Sequence, residues 1–271
     1  MTAATDATAA MLRVEHLSRA FFGVKAVDNV SLSVRAGSVT GLIGPNGSGK
    51  STVIDCITGV QRADSGRWFL GDVELTGRPS HNIAQAGLAR TFQTVRVYED
   101  ISLANNVALA SYAHRPVAWW RSIVGSRSAL RADAHTDARA RALVADVGLA
   151  AYVDAPASVL SYGQRKLLAL TATLIASPKL LLLDEPVAGV NPTMILQVER
   201  LIRRINEAGV TVLLVEHNVD FIMRLCERVI VLDAGQVLTE GPPSLVREDP
   251  RVLEAYMGGS VEDDLAKALH G

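Results

Sequence analysis

The sequence predicts an α/β fold in which a parallel sheet presents polar residues at one edge. Three short apolar segments, 39–43, 180–183 and 210–215, have the composition of central strands that are buried on both faces. Each is followed directly by glycine, acidic residues or histidine. In open α/β sheets, ligands bind where the carboxyl ends of such strands meet. The segments between them include helical patterns, as alternating strands and helices require.

The first of these strands leads into a phosphate-binding loop. Residues 44–52 match the pattern G-x-x-x-x-G-K-[ST], with a strand before them and the pattern of a helix after them. Glycines let the backbone N–H groups turn inward, and the helix N-terminus adds positive potential, so the loop can hold a polyphosphate. Lys50 would contact the β- and γ-phosphates, and the Ser51 hydroxyl would bind Mg²⁺. The predicted nucleotide-binding residues of the loop are Gly44, Pro45, Asn46, Gly47, Ser48, Gly49, Lys50, Ser51 and Thr52.

Composition narrows the class of protein. The chain has 271 residues, 49% of them hydrophobic, which is enough for a large core. A formal net charge of −1 gives no reason to expect nucleic-acid binding. No apolar run reaches the roughly 18 residues of a membrane span, and the N-terminus lacks a secretory pattern. We therefore expect a cytosolic protein with reduced, buried cysteines at Cys56 and Cys226, and flexible tails at 1–11 and 258–271.

Two further regions flank the parallel-sheet segments. Alternating apolar residues at 12–15 and 30–34, and a hairpin pattern over 68–75, predict an antiparallel sheet. From about 102 to 176, alanine, arginine and aspartate dominate and strand formers are scarce, which predicts an inserted helical subdomain. Within it, the role of Trp119-Trp120 stays open between packing and a partner contact. Ser161 could cap the helix that follows over 165–176, and residues 243–257 are mostly helical in pattern.

Charged residues follow the second and third apolar strands. Asp184 closes the run of four leucines and is predicted to hold Mg²⁺, whereas Glu185 would orient or deprotonate the attacking water. Two carboxylates beside a triphosphate require a cation, because unpaired buried charges cost several kcal/mol. His217 follows the next strand and is expected at the same edge. This layout is that of a nucleotide hydrolase.

The sequence resembles the ATP-binding cassette (ABC) ATPases over almost its whole length. Residues 44–52 match the family's Walker A motif, and 180–185 match Walker B with its catalytic glutamate. Residues 160–164, Leu-Ser-Tyr-Gly-Gln, resemble the family signature L-S-G-G-Q. Gln93 matches the Q-loop, His217 the switch histidine, and Phe21 the aromatic residue that stacks on adenine.

This resemblance implies an α/β P-loop NTPase fold with a RecA-like core, an antiparallel β subdomain and an inserted helical subdomain, within residues 12–257. ATP and Mg²⁺ are the implied ligands. Catalysis is expected from Glu185, His217 and Gln93, and the metal is expected on Ser51, Gln93 and Asp184. In the family a signature completes the ATP site of the facing subunit, so two chains are needed. The signature residues implied to act in this way are Ser161, Tyr162, Gly163 and Gln164.

The chain departs from the family pattern at two places. Tyr162 replaces the first glycine of the signature, but Ser161 and Gly163 keep the hydroxyl and the backbone N–H that face a γ-phosphate. Asn191 stands in the D-loop where the family usually has aspartate, which keeps hydrogen bonding and removes a charge. We expect function to survive the first change, and the effect of the second on coupling stays open.

Within the family, four features are similar to the ATPase subunits of bacterial branched-chain amino-acid importers. They are S-Y-G-Q, the run 89–93, Glu216-His217-Asn218 and the ending 256–258. The resemblance implies transmembrane permeases, a second ATPase chain that is identical or a paralogue, an indirect solute-binding protein, and a peripheral place on the inner face of the membrane. Importers of urea or short amides and lipopolysaccharide exporters are the alternatives.

Two other classes of protein fit less well. ABC proteins of translation carry two cassettes in one chain, and those of DNA repair insert long heptad arms, whereas this sequence shows neither. A regulatory nucleotide-binding module without turnover would be expected to lack Glu185 or His217, and both are present.

Overall fold

The computed structural model describes residues 10–91, 97–112 and 127–257. The strands are β1 Ala10–Phe21, β2 Val24–Arg35, β3 Val39–Ile43, β4 Ser65–Leu70, β5 Val73–Glu74, β6 Leu88–Arg90, β7 Leu180–Asp184, β8 Thr211–Val215, β9 Arg228–Asp233 and β10 Gln236–Gly241. The helices are α1 Lys50–Ile57, α2 Ser80–Ala86, α3 Leu103–Tyr112, α4 Arg127–Asp146, α5 Tyr162–Thr173, α6 Pro192–Glu207, α7 Val219–Leu225, α8 Pro243–Glu248 and α9 Pro250–Met257.

A six-stranded sheet forms the centre of the molecule, in the order β10-β9-β3-β8-β7-β6. All neighbouring strands in it are parallel except β10, which pairs antiparallel with β9. The strands β3, β7 and β8 are buried along almost their entire length, as continuous apolar segments predict. Their carboxyl ends share one edge, so the predicted α/β class and the predicted parallel sheet are confirmed.

The predicted antiparallel sheet is also present, with strand order β2-β1-β4-β5. Strand β1 begins at Ala10 rather than at Leu12, and it pairs with both β2 and β4. A continuous apolar cluster joins this sheet to helix α1 and to one face of the central sheet. Burial of this cluster fixes the phosphate-loop helix between the two sheets.

Three helices in the region 102–176 pack on one another. Leu103 and Val107 of α3, Ala140 and Val144 of α4, and Leu168 of α5 form their own buried cluster. Helix α5 begins at Tyr162, earlier than the predicted Arg165, because Ser161 caps it, and a short 3-10 turn over 174–176 completes it. The boundaries of the proposed helical subdomain stay a prediction, and Trp119-Trp120 lie outside the described residues.

The remaining predictions about the chain concern its surface and its ends. None of the described helices is long and apolar enough to cross a membrane. Cys56 and Cys226 are buried free thiols, and burial raises their pKa values to about 11 and about 12. Helices α8 and α9 confirm the helical pattern predicted for residues 243–257. The remainder of both predicted tails lies outside the described residues.

Candidate nucleotide-binding and catalytic site

The phosphate loop connects strand β3 to helix α1. Its glycines Gly44, Gly47 and Gly49 have φ values of 151°, 80° and 102°, a region that side chains rarely adopt. A Cβ atom at Gly44 would lie 2.0 Å from the carbonyl oxygen of Leu232, and one at Gly49 would lie 2.5 Å from that of Ala26. The loop therefore needs glycine at these two positions for space as well as for conformation.

Lys50 lies inside the hollow of this loop and is only 6% exposed. Its ammonium donates to Gly44 O at 2.8 Å and Pro45 O at 2.9 Å, and lies 3.3 Å from Ser48 Oγ. Burial lowers the pKa of Lys50, and the negative charges of Glu185 and Asp184 raise it in part. An anionic phosphate in the loop would supply the countercharge that this ammonium lacks among the loop's neutral acceptors.

Asp184, at the end of β7, is held by an arginine from the neighbouring strand. The guanidinium of Arg90 donates to Asp184 Oδ2 at 2.9 Å and to Asp55 Oδ1 at 2.5 Å. A cation was predicted beside the two carboxylates, and Arg90 supplies a positive charge next to Asp184. Arg90 was not among the predicted site residues, because the sequence does not show that the short strand β6 lies beside β7.

Glu185 and His217 come together from the ends of two adjacent strands. Asp184 is opposite Val215 in the register of β7 and β8, and Glu185 N donates to Val215 O at 2.8 Å. His217 Nε2 then lies 2.9 Å from Glu185 Oε1. Because an ionised carboxylate only accepts hydrogen bonds, the imidazole Nε2–H is the donor. The arrangement fixes the direction of a carboxylate that is placed to accept a proton.

The signature segment forms the N-terminus of helix α5. The side chain of Ser161 accepts from Gln164 N, and the Gln164 side chain accepts from Ser161 N at 2.9 Å, which is a complete capping box. The hydroxyl of Ser161 acts as an acceptor in this cap and keeps its own proton for another partner. Ser161 and Tyr162 are exposed on the surface, as a site that serves a second chain requires.

Two further residues, Phe21 and Gln93, were predicted as part of the site. Phe21 is partly buried at the end of β1, and the Arg19 guanidinium lies 4.7 Å from the centre of its ring. The adjacent Phe22 is fully exposed with φ of 49°. Gln93 lies outside the described residues, so its predicted roles in catalysis and metal binding stay predictions.

The predicted metal ligands are not a preformed cluster of acidic and imidazole groups. Within the described ranges no three His, Cys, Asp or Glu side chains group as a metal site. Ser51 is exposed in the first turn of α1, and Asp184 is incompletely buried. A hydroxyl and a carboxylate are oxygen donors of the kind that Mg²⁺ prefers when phosphates and water complete its shell, so the available donors fit this ion.

Three buried groups beside the site were not predicted as site residues. Lys166 on α5 and Glu216 after β8 are charged yet only 8% and 3% exposed. Tyr256 on α9 shares a hydrogen bond with the backbone of Gly44, and burial raises its pKa to about 12. All three lie in segments that were assigned to a motif or to a helix, and no local pattern marks their long-range partners.

Comparison with known proteins gives the family. A family model described as ABC transporter matches residues 27–188, and one described as branched-chain amino acid ATP-binding cassette transporter matches residues 236–262. The second match includes Tyr256. Two regions of the chain that meet at Gly44 are therefore each similar to a described family.

Curated relatives match nearly the whole chain. The high-affinity branched-chain amino acid transport ATP-binding protein BraF of Pseudomonas aeruginosa is 33% identical over 249 residues, which are 92% of this chain and 98% of that protein. The corresponding protein LivG of Escherichia coli is 34% identical with the same coverage. The lipopolysaccharide export system ATP-binding protein LptB of Acidithiobacillus ferridurans is 34% identical over 92% of this chain and 97% of its own.

Solved structures agree with this. A nucleotide-free ATP-binding cassette from an ABC transporter superposes with a TM-score of 0.81 at 30% identity. The match covers 92% of this chain and 100% of that chain. A cassette in its ADP conformation gives a TM-score of 0.80, also at 30% identity, over 92% of this chain and 99% of that one. The chain therefore belongs to the ABC transporter family, as an ATP-hydrolysing cassette subunit with a P-loop core.

Proposed function

We propose that this chain energises a bacterial ABC importer of branched-chain or other hydrophobic amino acids. The observation that carries the proposal is the combination of a sheet edge that carries the proposed hydrolytic residues with a C-terminal segment of the branched-chain type. Lys50, Asp184, Glu185 and His217 come from three neighbouring strand ends. Residues 236–262 match the branched-chain model, and relatives with that transport role cover 92% of the chain.

Each residue of the site has a different role toward the bound ATP. Lys50 and the loop N–H groups bind the β- and γ-phosphates, and Phe21 contacts the adenine. Glu185, oriented by His217, accepts a proton from the attacking water. Ser51, Asp184 and Gln93 would hold Mg²⁺, which supplies charge neutralisation on the phosphates when bound. Arg90 keeps the Asp184 carboxylate in place through its 2.9 Å hydrogen bond.

A second ATPase chain completes the site. Ser161 and Gly163 lie at the exposed start of α5, where they would contact the γ-phosphate bound by the facing subunit. Asn191, which replaces the usual aspartate of the D-loop, is uncharged and still caps helix α6. Its Oδ1 accepts from Met194 N at 2.9 Å. Loss of the γ-phosphate removes the shared contact and opens the pair, since a ligand drives a two-state element only through differential affinity.

The permease would dock in a groove beside helices α3 and α5. Asp184 and Glu185 are among the residues that line this cavity of about 540 Å³. Tyr98 and Leu109 on its outer wall are exposed apolar side chains, which suit a helix from a membrane partner. The chain would then lie on the inner face of the membrane, with the solute-binding protein acting only through the permease.

Reconstitution with permeases tests this proposal. The complex in vesicles should hydrolyse Mg-ATP saturably, and a solute-binding protein loaded with leucine, isoleucine or valine should stimulate the rate. Stimulation by a urea- or amide-loaded protein instead would favour that importer class. Stimulation by lipopolysaccharide would favour an exporter, a candidate supported by the 34% identical export protein. A rate that no permease changes would contradict a transport role.

A further inference from the structure

The turn that follows strand β7 has a strained start. Glu185 leaves the strand with φ of 49°, and residues 186–189 continue as a turn toward Asn191. A left-handed conformation at a residue other than glycine costs about 1–3 kcal/mol, and it persists only where neighbouring groups hold it. Side chains from two other elements hold this turn, and the proposed roles of Glu185 and His217 use neither of them.

The first of these side chains is Lys166, in the second turn of helix α5. Its ammonium donates to Ala188 O at 2.6 Å and to Glu185 O at 3.1 Å. Two carbonyl groups of the turn are thereby drawn toward one buried cation. Burial lowers the pKa of Lys166, and the nearby negative charges of Glu216 and Glu185 raise it in part.

The second side chain is Glu216, directly after strand β8. Its Oε1 accepts from Val187 N at 2.9 Å, and its Oε2 accepts from His217 N at 3.0 Å and Asn218 N at 3.3 Å. One carboxylate therefore binds the turn of Glu185 and the backbone of His217 together. Lys166 holds the carbonyl groups of Glu185 and Ala188, while Glu216 holds the amide group of Val187 in the same turn.

Tyr162 extends this arrangement to the signature. Its ring centre lies 5.7 Å from the Lys166 ammonium, within the range of a cation–π contact. Its Cε1 atom lies 3.6 Å from the place where a Cβ atom on Gly189 would be. The residue that departs from L-S-G-G-Q therefore covers Lys166 and faces the same turn.

We propose that Lys166 and Glu216 are positioning residues that clamp the turn 185–188 and thereby fix the catalytic carboxylate relative to the signature helix. The inference rests on the proposed role of Glu185 as the base. It gives helix α5 two tasks, because Ser161 at its start faces the partner's nucleotide while Lys166, one turn later, holds Glu185 of its own chain. A shift of α5 when the partner's γ-phosphate arrives or leaves is transmitted to the turn through these contacts.

Kinetics of Lys166→Met test the clamp. This change keeps the apolar stem and removes the ammonium, so kcat of the permease-bound ATPase should fall by about 10- to 100-fold, as misplacement of a catalytic group by about 1 Å does. Affinity of the full-length chain for a fluorescent ATP analogue should not change, because Lys166 contacts backbone and not the phosphate loop. Lys166→Arg should recover part of kcat. Arg204→Met, an exposed arginine near the end of α6, is the matched control and should behave as wild type.

A second readout does not require turnover. Hydrogen exchange of the peptide that contains residues 184–190 should be faster in Lys166→Met and in Glu216→Gln than in wild type. Lys166→Met removes the donor to two carbonyl groups of the turn. Glu216→Gln replaces one carboxylate oxygen, an acceptor, with an NH₂ group that cannot accept from the backbone N–H groups. Effects of the two changes on kcat should be less than additive, since both act on one turn. A folded Lys166→Met protein with wild-type kcat and wild-type exchange would overturn the inference. An inactive wild type with the predicted exchange difference would contradict the proposed function and leave the clamp supported.

Discussion

The phosphate loop and the turn 185–188 lie at the same edge of the sheet but are built by different means. The loop is specified within a few residues, because glycines supply its φ values and the next helix begins at Lys50. The turn has no glycine at its strained residue, Glu185, and is held by Lys166 and Glu216 from distant parts of the chain.

This difference determines how each region can be altered. A loop built from glycines fails when both the space and the backbone conformation of one glycine are lost, because no other residue can replace it there. A clamp of long-range hydrogen bonds fails in steps, because each side chain carries part of the geometry. The loop is therefore expected to respond to mutation in an all-or-none manner, and the turn is expected to respond in a graded manner.

The largest effect is expected at Gly49. In Gly49→Ala the new Cβ would lie 2.5 Å from Ala26 O, in a residue with φ of 102°, so the loop must deform. Affinity for a fluorescent ATP analogue should fall by at least about 100-fold, which is close to 3 kcal/mol. Gly47→Ala has a positive φ but open space around its Cβ, and it should lose much less. Equal losses in the two variants would show that conformation alone, and not space, governs the loop.

The next largest effect is expected at Arg90, which joins Asp184 to Asp55. Arg90→Met leaves two partly buried carboxylates without their shared cation, so the free energy of unfolding should fall by about 3 kcal/mol. Urea denaturation measures this value. Arg67→Met breaks an exposed pair with Glu74 and should change it far less. A loss no larger than that of the control would mean that Arg90 does not hold Asp184.

A smaller effect is expected at Tyr256, which joins the C-terminal helix α9 to the phosphate loop at Gly44. Tyr256→Phe removes the phenol from its hydrogen bond with Gly44, which should lower the free energy of unfolding by about 1 kcal/mol. The exposed Tyr152 gives the control, and Tyr152→Phe should leave it unchanged. If the two variants denature at the same urea concentration, the C-terminal helix does not support the loop through this bond.

The smallest effect is a pH dependence from Glu216. Burial raises its pKa above the ordinary value of 4.5, and the three backbone donors lower it only in part. The folded protein therefore binds this proton more readily than the unfolded chain does, so the group's contribution to stability declines as pH rises from 4.5 through the folded pKa. The free energy of unfolding of wild type minus that of Glu216→Gln should therefore fall as pH rises above 4.5. If this difference rises instead, the backbone hydrogen bonds lower the pKa of Glu216 by more than burial raises it.

The sequence predicts the parts of the site that obey local rules. Gly44 to Thr52, the apolar strands and the capping residue Ser161 follow from motif, composition and helix-capping chemistry, and the structure confirms the strands and the cap. Arg90, Lys166 and Glu216 could not be selected in this way. Their partners lie far along the chain, and only the packing of α5 and the order of β6, β7 and β8 bring them together.

Turnover of Glu185→Gln tests the central claim most directly, namely that the carboxylate held at this sheet edge drives ATP hydrolysis. Gln keeps the shape but cannot accept the proton, so the hydrolysis rate should fall by at least about 100-fold while ATP binding is retained. The ATP-bound variant should elute as a stable dimer, and Glu207→Gln at the exposed end of α6 should match wild type. A Glu185→Gln protein that hydrolyses ATP at the wild-type rate would contradict the account.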